Sequence, residues 1–507
     1  MKIQSIIKTI VLEINLFFDI IVPNYKINVG TIFMSFIRHK KLKNKWYAYE
    51  VTSVWNKKLK SSRSVSKYLG PVDPETKKIV PFIKKVTEDE KLILDFGDSY
   101  FFYKFILDSD IHSALKKIFF DKHPESVPLM IYRLCTQSAM HNCGEWISGN
   151  IINILCKNVN LSSQRISDFF KKLGNESIQR KFFVEYIKLI GGSKKSVIID
   201  ATSLPNHIHS DFNAWGKSDG KIEKQFRFLC VVEQSSKTPL FYRFLPGNIT
   251  DIITLQKTIE ELKEIGIESN FVLIDAGYYS ESNIHELFNQ SIDFLTRLPA
   301  GRIIYKNILM EHAHDVEQLK NAYTIGKRGY FAKSLEINLY GHKSYAYLIL
   351  DPARKAKETK ELLQEYCGNK LDRDQKEDQL SFLSCGMMVL ISSKQIPVDE
   401  ILSSYYLRQS IEQIFGFSKS DLNLLPIRAH NDKTIQGYLF FQFLLLVFYI
   451  RIREKYLKDY TVEQLSMILR KIKCKVYESR VIPLERDKKQ REIFEQANII
   501  VPKFLGI

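Results

Sequence analysis

Two short apolar runs, each ending in an acid, constrain the fold of this chain most. They are Ser196-Val-Ile-Ile-Asp200 and Phe271-Val-Leu-Ile-Asp275. Neither alternates apolar with polar residues, so neither suits a sheet that is wet on one face. A strand buried on both faces belongs near the centre of a helix-covered sheet, the arrangement of α/β proteins. Between the runs lie two more strand-like stretches, 226–233 and 239–245, joined by the turn Gln234-Ser-Ser-Lys-Thr238. That spacing predicts a hairpin. Residues 251–265 have helical periodicity, with Thr250 or Asp251 as the cap. A short helix from about Ser282 and a strand over 292–298 follow.

The order is strand, strand, strand, helix, strand, helix, strand. It predicts an α/β chain with a ribonuclease H-like mixed sheet: a hairpin on a central strand, then parallel additions. Residues 301–395 read as a β-rich insertion, with strands at 331–340, 344–350 and 386–392 and a charged helix at 352–366. Helix resumes over 398–419 and again over 434–457. The predicted division has seven parts. Residues 1–33 are an extension and 34–95 a basic, turn-rich unit suited to DNA. Residues 96–190 are a helical region for DNA binding or packing. The core occupies 191–300 and 396–460, on either side of the insertion 301–395. The tail 461–507 is basic and mostly helical.

Charge narrows the partner. Lys and Arg total 74 against 57 for Asp and Glu, a net charge of +17, which attracts a polyanion. Cations concentrate near the N-terminus: Arg38, Lys40, Lys41, Lys43, Lys45, Lys57, Lys58, Lys60, Arg63 and Lys67 stand against one acid, Glu50. Trp46, Tyr47, Tyr49 and Trp55 interleave with them, a mixture suited to phosphate contact and base stacking. A solvated hairpin with a half-buried aromatic face fits the same pattern. The seven cysteines form no Cys-x-x-Cys pair, which argues against a zinc ribbon or a disulfide framework and suits a reducing cytoplasm. His207-x-His209 and His312-x-His314 lack a third ligand at zinc spacing. No phosphate-cradling loop or dinucleotide fingerprint appears.

The first thirty residues are apolar but carry Glu13 and Asp19, and they match a signal peptide poorly. Met34 is an alternative start. The run 438–450 is short for a membrane span and reads as a buried helix, so no membrane partner is expected.

Acids at strand ends gather at the carboxyl edge of an open sheet, where ligands bind. Asp200 and Asp275 are therefore candidates to hold hard divalent cations, which prefer oxygen ligands. A third acid stands out in Tyr405-Tyr-Leu-Arg408-Gln-Ser-Ile-Glu412-Gln-Ile-Phe-Gly-Phe-Ser-Lys419. At 100° per residue, Tyr405, Arg408, Glu412 and Lys419 fall on one helical stripe roughly 60° wide. One face then offers a phenol, two cations and a carboxylate. An exposed Arg–Glu pair on a solvated helix is the plainer alternative. Gly416 is a candidate break before Lys419.

This segment is similar to the Tyr-x2-Arg-x3-Glu-x6-Lys signature of bacterial insertion-sequence DDE transposases of the IS-four type. Ile199-Asp200-Ala-Thr202 resembles that family's first-aspartate strand. Leu245-Pro-Gly247-Asn248-Ile-Thr-Asp251 resembles its Gly-Asn-x-x-Asp segment, and Ile274-Asp275-Ala-Gly277-Tyr-Tyr-Ser280 its second-aspartate motif. The resemblance implies a DNA transposase in which Asp200, Asp275 and Glu412 are the catalytic carboxylates and bind two Mg²⁺ or Mn²⁺ ions. It implies cleavage at the element's ends, then strand transfer into target DNA. Tyr405, Arg408 and Lys419 would bind the terminal phosphates. The implied partners are double-stranded DNA, both terminal inverted repeats and target, and a second copy of the chain in a synaptic complex. The implied location is the bacterial cytoplasm, at the nucleoid when DNA is bound. Some relatives flip a base onto an aromatic; Trp215 is a candidate platform, against the plainer reading of a surface or core tryptophan. Asp251 reads as a helix cap or a structural contact. Two alternatives stay open: a ribonuclease H-like nuclease without strand transfer, and a DNA-binding relative with no chemistry.

Overall fold

The computed structural model describes residues 35–42, 45–56, 61–73, 78–79, 90–120, 123–218, 220–368, 375–422, 424–425, 431–456 and 460–507. The extension 1–33, Met34, Lys43, Lys57, Lys58 and Lys60 lie outside them. The chain forms two compact units, residues 1–89 and 90–507.

In the first unit, β1 (Ser35–Leu42), β2 (Lys45–Asn56) and β3 (Ser61–Val72) make an antiparallel sheet in the order β1-β2-β3. The basic, turn-rich segment is thus a strand meander. Its register sets Arg38 opposite Tyr49 and Lys40 opposite Tyr47, with Tyr68 on the far side of Tyr49. Tyr68 packs against Tyr47 and Tyr49 at ring separations of 6.0 and 5.4 Å.

The second unit opens with β4 (Leu92–Asp95). Helices fill most of 96–190, as their periodicity predicts. Among them are α1 (Ser163–Leu173) and α2 (Glu176–Ile190). The central sheet then begins: β5 (Lys194–Pro205), β6 (Ala214–Ser218), β7 (Lys221–Glu233), β8 (Pro239–Pro246), α3 (Asp251–Glu264), β9 (Glu268–Ile274), α4 (Glu281–Asn289) and β10 (Asp293–Arg297). It continues with β11 (Ala322–Ile325), β12 (Arg328–Leu339), β13 (His342–Leu350) and β14 (Met387–Ser392). The order across the sheet is β11-β12-β13-β14-β10-β9-β5-β7-β6. One flank of β7 is shared: β6 pairs with its start and β8 with the rest. Strand β5 runs antiparallel to β7 and parallel to β9, which runs parallel to β10.

The segment 301–395 is rich in strands and joins the central sheet: β14 pairs with β10 and carries β13, β12 and β11 outward along it. The tail differs from the mostly helical reading. Its strands β15 (Lys473–Val476), β16 (Arg480–Pro483) and β17 (Leu505–Gly506) join β4 in a four-stranded sheet. These strands are two to four residues long, too short for periodicity to reveal.

The site's helical half follows β14. It consists of α5 (Val398–Tyr406), α6 (Gln409–Gly416) and a single wide turn, Phe417–Asp421. The next helix, α7 (Asp432–Tyr456), contains the apolar run 438–450, and that run is buried throughout. By length and composition its first 22 residues could cross a membrane, yet 83% of the apolar window is buried inside the protein, as in a core helix. Against α7 packs α1, burying Ile166, Phe169, Phe170 and Leu173. The two backbones touch, since a Cβ on Gly437 would lie 1.7 Å from the Phe170 carbonyl oxygen. Only glycine permits that approach.

Candidate active site

The register places two acids side by side. Ile199 of β5 pairs with Ile274 of β9, so the following residues, Asp200 and Asp275, leave neighbouring parallel strands at the same level. Strand β5 was expected to stop at Asp200. It runs on to Pro205, paired with β7 alone. Asp200 therefore sits where the partner strand departs and the sheet edge opens.

Glu412 arrives from the other side, on α6. The predicted single helix over 398–419 is interrupted at Leu407 and Arg408, where the Arg408 N–H donates to the Tyr405 carbonyl three residues back. It is interrupted again at Phe417–Asp421. Both residues at the first break keep right-handed helical backbone angles, so the side chains still reach one place.

At the centre is Arg408. Its Nη1 lies 3.0 Å from Asp200 Oδ2 and 3.8 Å from Asp275 Oδ2, while Nη2 lies 2.9 Å from Glu412 Oε1. One guanidinium thus spans all three acids. The side chains of Asp200 and Arg408 are 13% and 19% exposed, against 37% for Asp275 and 51% for Glu412, so the site has a buried floor and an open rim. Burial raises the Asp200 carboxyl from 3.8 to about 6, against the pull of Arg408 and the Ala201 N–H. Burial also opposes the charge of Arg408, but Asp275, Asp200, Tyr405 and Glu412 outweigh it and raise its pKa.

Tyr405 is buried, and its hydroxyl donates to Asp275 Oδ1 at 3.2 Å. Its side chain therefore faces the second acid, from the buried side of α5. Burial, with Asp275 beside it, raises the phenol to about 12. At the open rim, Lys419 donates from Nζ to Thr202 Oγ1 at 2.8 Å. Trp215 lies elsewhere, on β6, 63% exposed, with the Lys224 ammonium 6.0 Å from its ring centre.

Sequence reasoning undervalued a supporting layer. Asp251 opens α3 and pairs with Arg227 of β7. Its carboxyl is raised by burial, with Asp275 adding to the rise, so it lies within electrostatic reach of the site. A Cβ on Gly277 would stand 3.0 Å from Asp251 Oδ2. The fully buried Tyr278 hydroxyl has no hydrogen-bond partner among the described residues and feels Asp251, Asp200, Arg227 and Asp275. The signal was present in the Gly-Asn-x-x-Asp segment and in the Gly-Tyr-Tyr after Asp275. Arg227 had no such signal.

Comparison with known proteins gives a family and several distant structural likenesses. The piggyBac transposase synaptic complex with hairpin DNA is similar at 11% identity and a TM-score of 0.36, over 74% of this chain and 70% of that one. The Drosophila P element transposase strand transfer complex is similar at 10% identity and a TM-score of 0.17, over 62% and 86%. Likeness at these scores carries no argument about this chain. No curated protein sequence matches. The model of the transposase DDE domain family does match, over residues 191–448, and that span covers β5 to β14, the three acids and most of α7. Since the match takes in just over half of its length, the chain belongs to the family of DDE-domain transposases.

Proposed function

We propose that this chain cuts DNA at the ends of an insertion sequence and joins the freed ends to target DNA, using Asp200, Asp275 and Glu412 as its catalytic carboxylates. The observation that carries the reading is their convergence from three separate elements onto one cation, at 3.0, 3.8 and 2.9 Å. The donor set fits the divalent metals that DDE transposases generally use: all its ligand atoms are carboxylate oxygens, which suits Mg²⁺ or Mn²⁺, and the arginine marks where positive charge is held. Two such ions supply activation of the attacking oxygen and stabilisation of the leaving one.

The chain's own residues do the rest. Asp200 and Asp275 are fixed by the β5–β9 register, so their relative position needs no ordering when DNA arrives. Tyr405 orients the Asp275 carboxylate. Lys419 sits at the open rim, where its ammonium meets a phosphate of the bound strand. Arg408 carries the second phosphate-seeking charge, with a fork suited to two phosphate oxygens. The Asp251–Arg227 pair supports the floor.

The hairpin on β5 followed by parallel β9 and β10 supports a ribonuclease H-like reading of the catalytic core. The net charge of +17 supports double-stranded DNA, terminal repeats and target, as the partner. The exposed cations of the first unit, with exposed Tyr68 and half-buried Tyr47 and Tyr49 among them, support a DNA contact there. Trp215, exposed beside a lysine, supports a base-stacking role. A homodimer in a synaptic complex and a bacterial cytoplasmic location belong to the same reading. The test is a strand-transfer assay with pre-cleaved element ends and Mg²⁺. Joined product is expected; cutting without joining would leave a nuclease, and binding without either would leave a DNA-binding protein.

A further inference from the structure

We infer that Arg408 is a resident counter-cation: it holds the three carboxylates together in the free protein and is exchanged for divalent metal when DNA enters. The inference rests on the proposed assignment of the three acids, and it adds a function for Arg408 that phosphate binding alone does not contain.

Three like charges repel, and repulsion is strongest where water is scarce. Asp200 and Asp275 leave adjacent strands side by side, and Glu412 closes on them from α6. Arg408 answers all three with two of its three nitrogens. The guanidinium lies between the acids and in contact with each. Among the described residues, no three His, Cys, Asp or Glu side chains stand close enough to hold a metal ion. Cation and metal are therefore alternatives in this space, not neighbours. Metal binding requires the arginine to leave, and the acids then close on the ion.

The arginine has reason to leave only when it has somewhere to go. Its buried Nε has no hydrogen-bond partner among the described residues, so its present position leaves one donor unanswered there. A DNA phosphate at the rim would accept two of its donors at once, including Nε. Glu412 and Asp275 are the more exposed acids, so the way out lies on the side where DNA would arrive. The helix break at Leu407 and Arg408 places the moving residue at an interruption in regular hydrogen bonding. Metal and DNA affinities are then coupled, and the coupling is reciprocal. Without DNA the site resists metal, which keeps the nuclease silent away from its substrate.

The experiment is a Mn²⁺ titration of the full chain, read by calorimetry and by the electron paramagnetic resonance of free Mn²⁺. It is run with and without a short mixed-sequence DNA duplex at low salt. Wild-type protein should bind Mn²⁺ on the order of tenfold more tightly once the duplex is present. Arg408→Gln should bind Mn²⁺ more tightly than wild type without DNA and gain little from the duplex. Arg408→Lys keeps the charge but loses the fork; it too should bind Mn²⁺ more tightly without DNA, and it carries the test if Arg408→Gln does not fold. The double variant D200N/E412Q controls the site. Should it bind Mn²⁺ as well as wild type, the carboxylate assignment fails and this inference with it. Should it lose Mn²⁺ while both Arg408 variants bind no more tightly than wild type, the exchange alone is overturned.

Discussion

The three proposed catalytic acids are held by two unlike supports. The strand-borne half, Asp200 and Asp275, follows from sheet register, and Asp200 accepts a hydrogen bond from the Ala201 N–H. The helix-borne half, Arg408 and Glu412, stands on a segment interrupted twice, and Glu412 is half exposed. The difference teaches that register fixes one half, while the other depends on an irregular helical segment and a more exposed ion pair. The first way to break the comparison is to neutralise each acid. Asp200→Asn, Asp275→Asn and Glu412→Gln should each lower metal-dependent cleavage by several orders of magnitude, since each removes a metal ligand. DNA binding in a gel-shift assay should persist. If the strand acids matter and Glu412→Gln cuts normally, the helix-borne half is misassigned.

Stability should separate the halves as well. The Asp200 carboxyl rises from 3.8 to about 6 because burial disfavours its charge. The folded chain thus holds that proton more tightly than the unfolded chain. Its contribution to stability is full below about pH 4 and is lost as pH rises through 6. In metal-free buffer at pH 8, Asp200→Asn should therefore be more stable than wild type by about 1–3 kcal/mol, a gain that vanishes near pH 4. Glu412→Gln removes only a half-exposed ion pair and should change stability by less than about 1 kcal/mol at either pH. Thermal melts of both variants at both pH values check this. Equal shifts for the two would erase the contrast between floor and rim.

Tyr405 bridges the halves, carrying a helix-borne hydroxyl to a strand-borne acid at 3.2 Å. Tyr405→Phe removes one hydrogen bond to a charged group, worth about 1.5–3 kcal/mol where that group is buried. Asp275 is partly exposed and water can replace the donor, so the expected loss in cleavage is on the order of tenfold. It should appear in turnover, with DNA affinity unchanged. A loss of DNA affinity instead would return Tyr405 to the phosphate contact that its place on the helical stripe first suggested.

The helix-borne half carried the stronger motif, in the Tyr405–Lys419 segment, while the strand-borne half was the more legible in its placement in the fold. An unbroken apolar run ending in an acid has few places in a fold, and Ser196–Asp200 and Phe271–Asp275 both occupy the central sheet. What periodicity could not see was pairing between distant residues. Nothing local tells that β14 returns to β10, or that β15 meets β4 some 380 residues earlier in the chain. Strand β6 is short and half polar, and it escaped for that reason. On the helix, the 3.6-residue period brought Tyr405, Arg408 and Glu412 to one face. It could not say what each would touch. Arg408 turned toward the acids, because clustered carboxylates attract a guanidinium, and Tyr405 turned toward Asp275. Arg227 was illegible altogether, since its partner Asp251 lies on another element.

The smallest expected effect tests the rim. The Lys419 ammonium donates to the Thr202 hydroxyl of β5, so the helix-borne half touches the strand-borne half there at an exposed position. Such a contact adds little to stability, and its loss should leave the melting temperature nearly unchanged. If the ammonium instead meets a DNA phosphate, Lys419→Ala should weaken binding evenly across sequences. The slope of log affinity against log salt should then fall by about 0.9, one counterion for one phosphate. Fluorescence anisotropy of a labelled duplex over a salt series measures that slope. A variant whose slope equals that of the wild type would leave Lys419 a strap between the two halves and take it out of the phosphate grip.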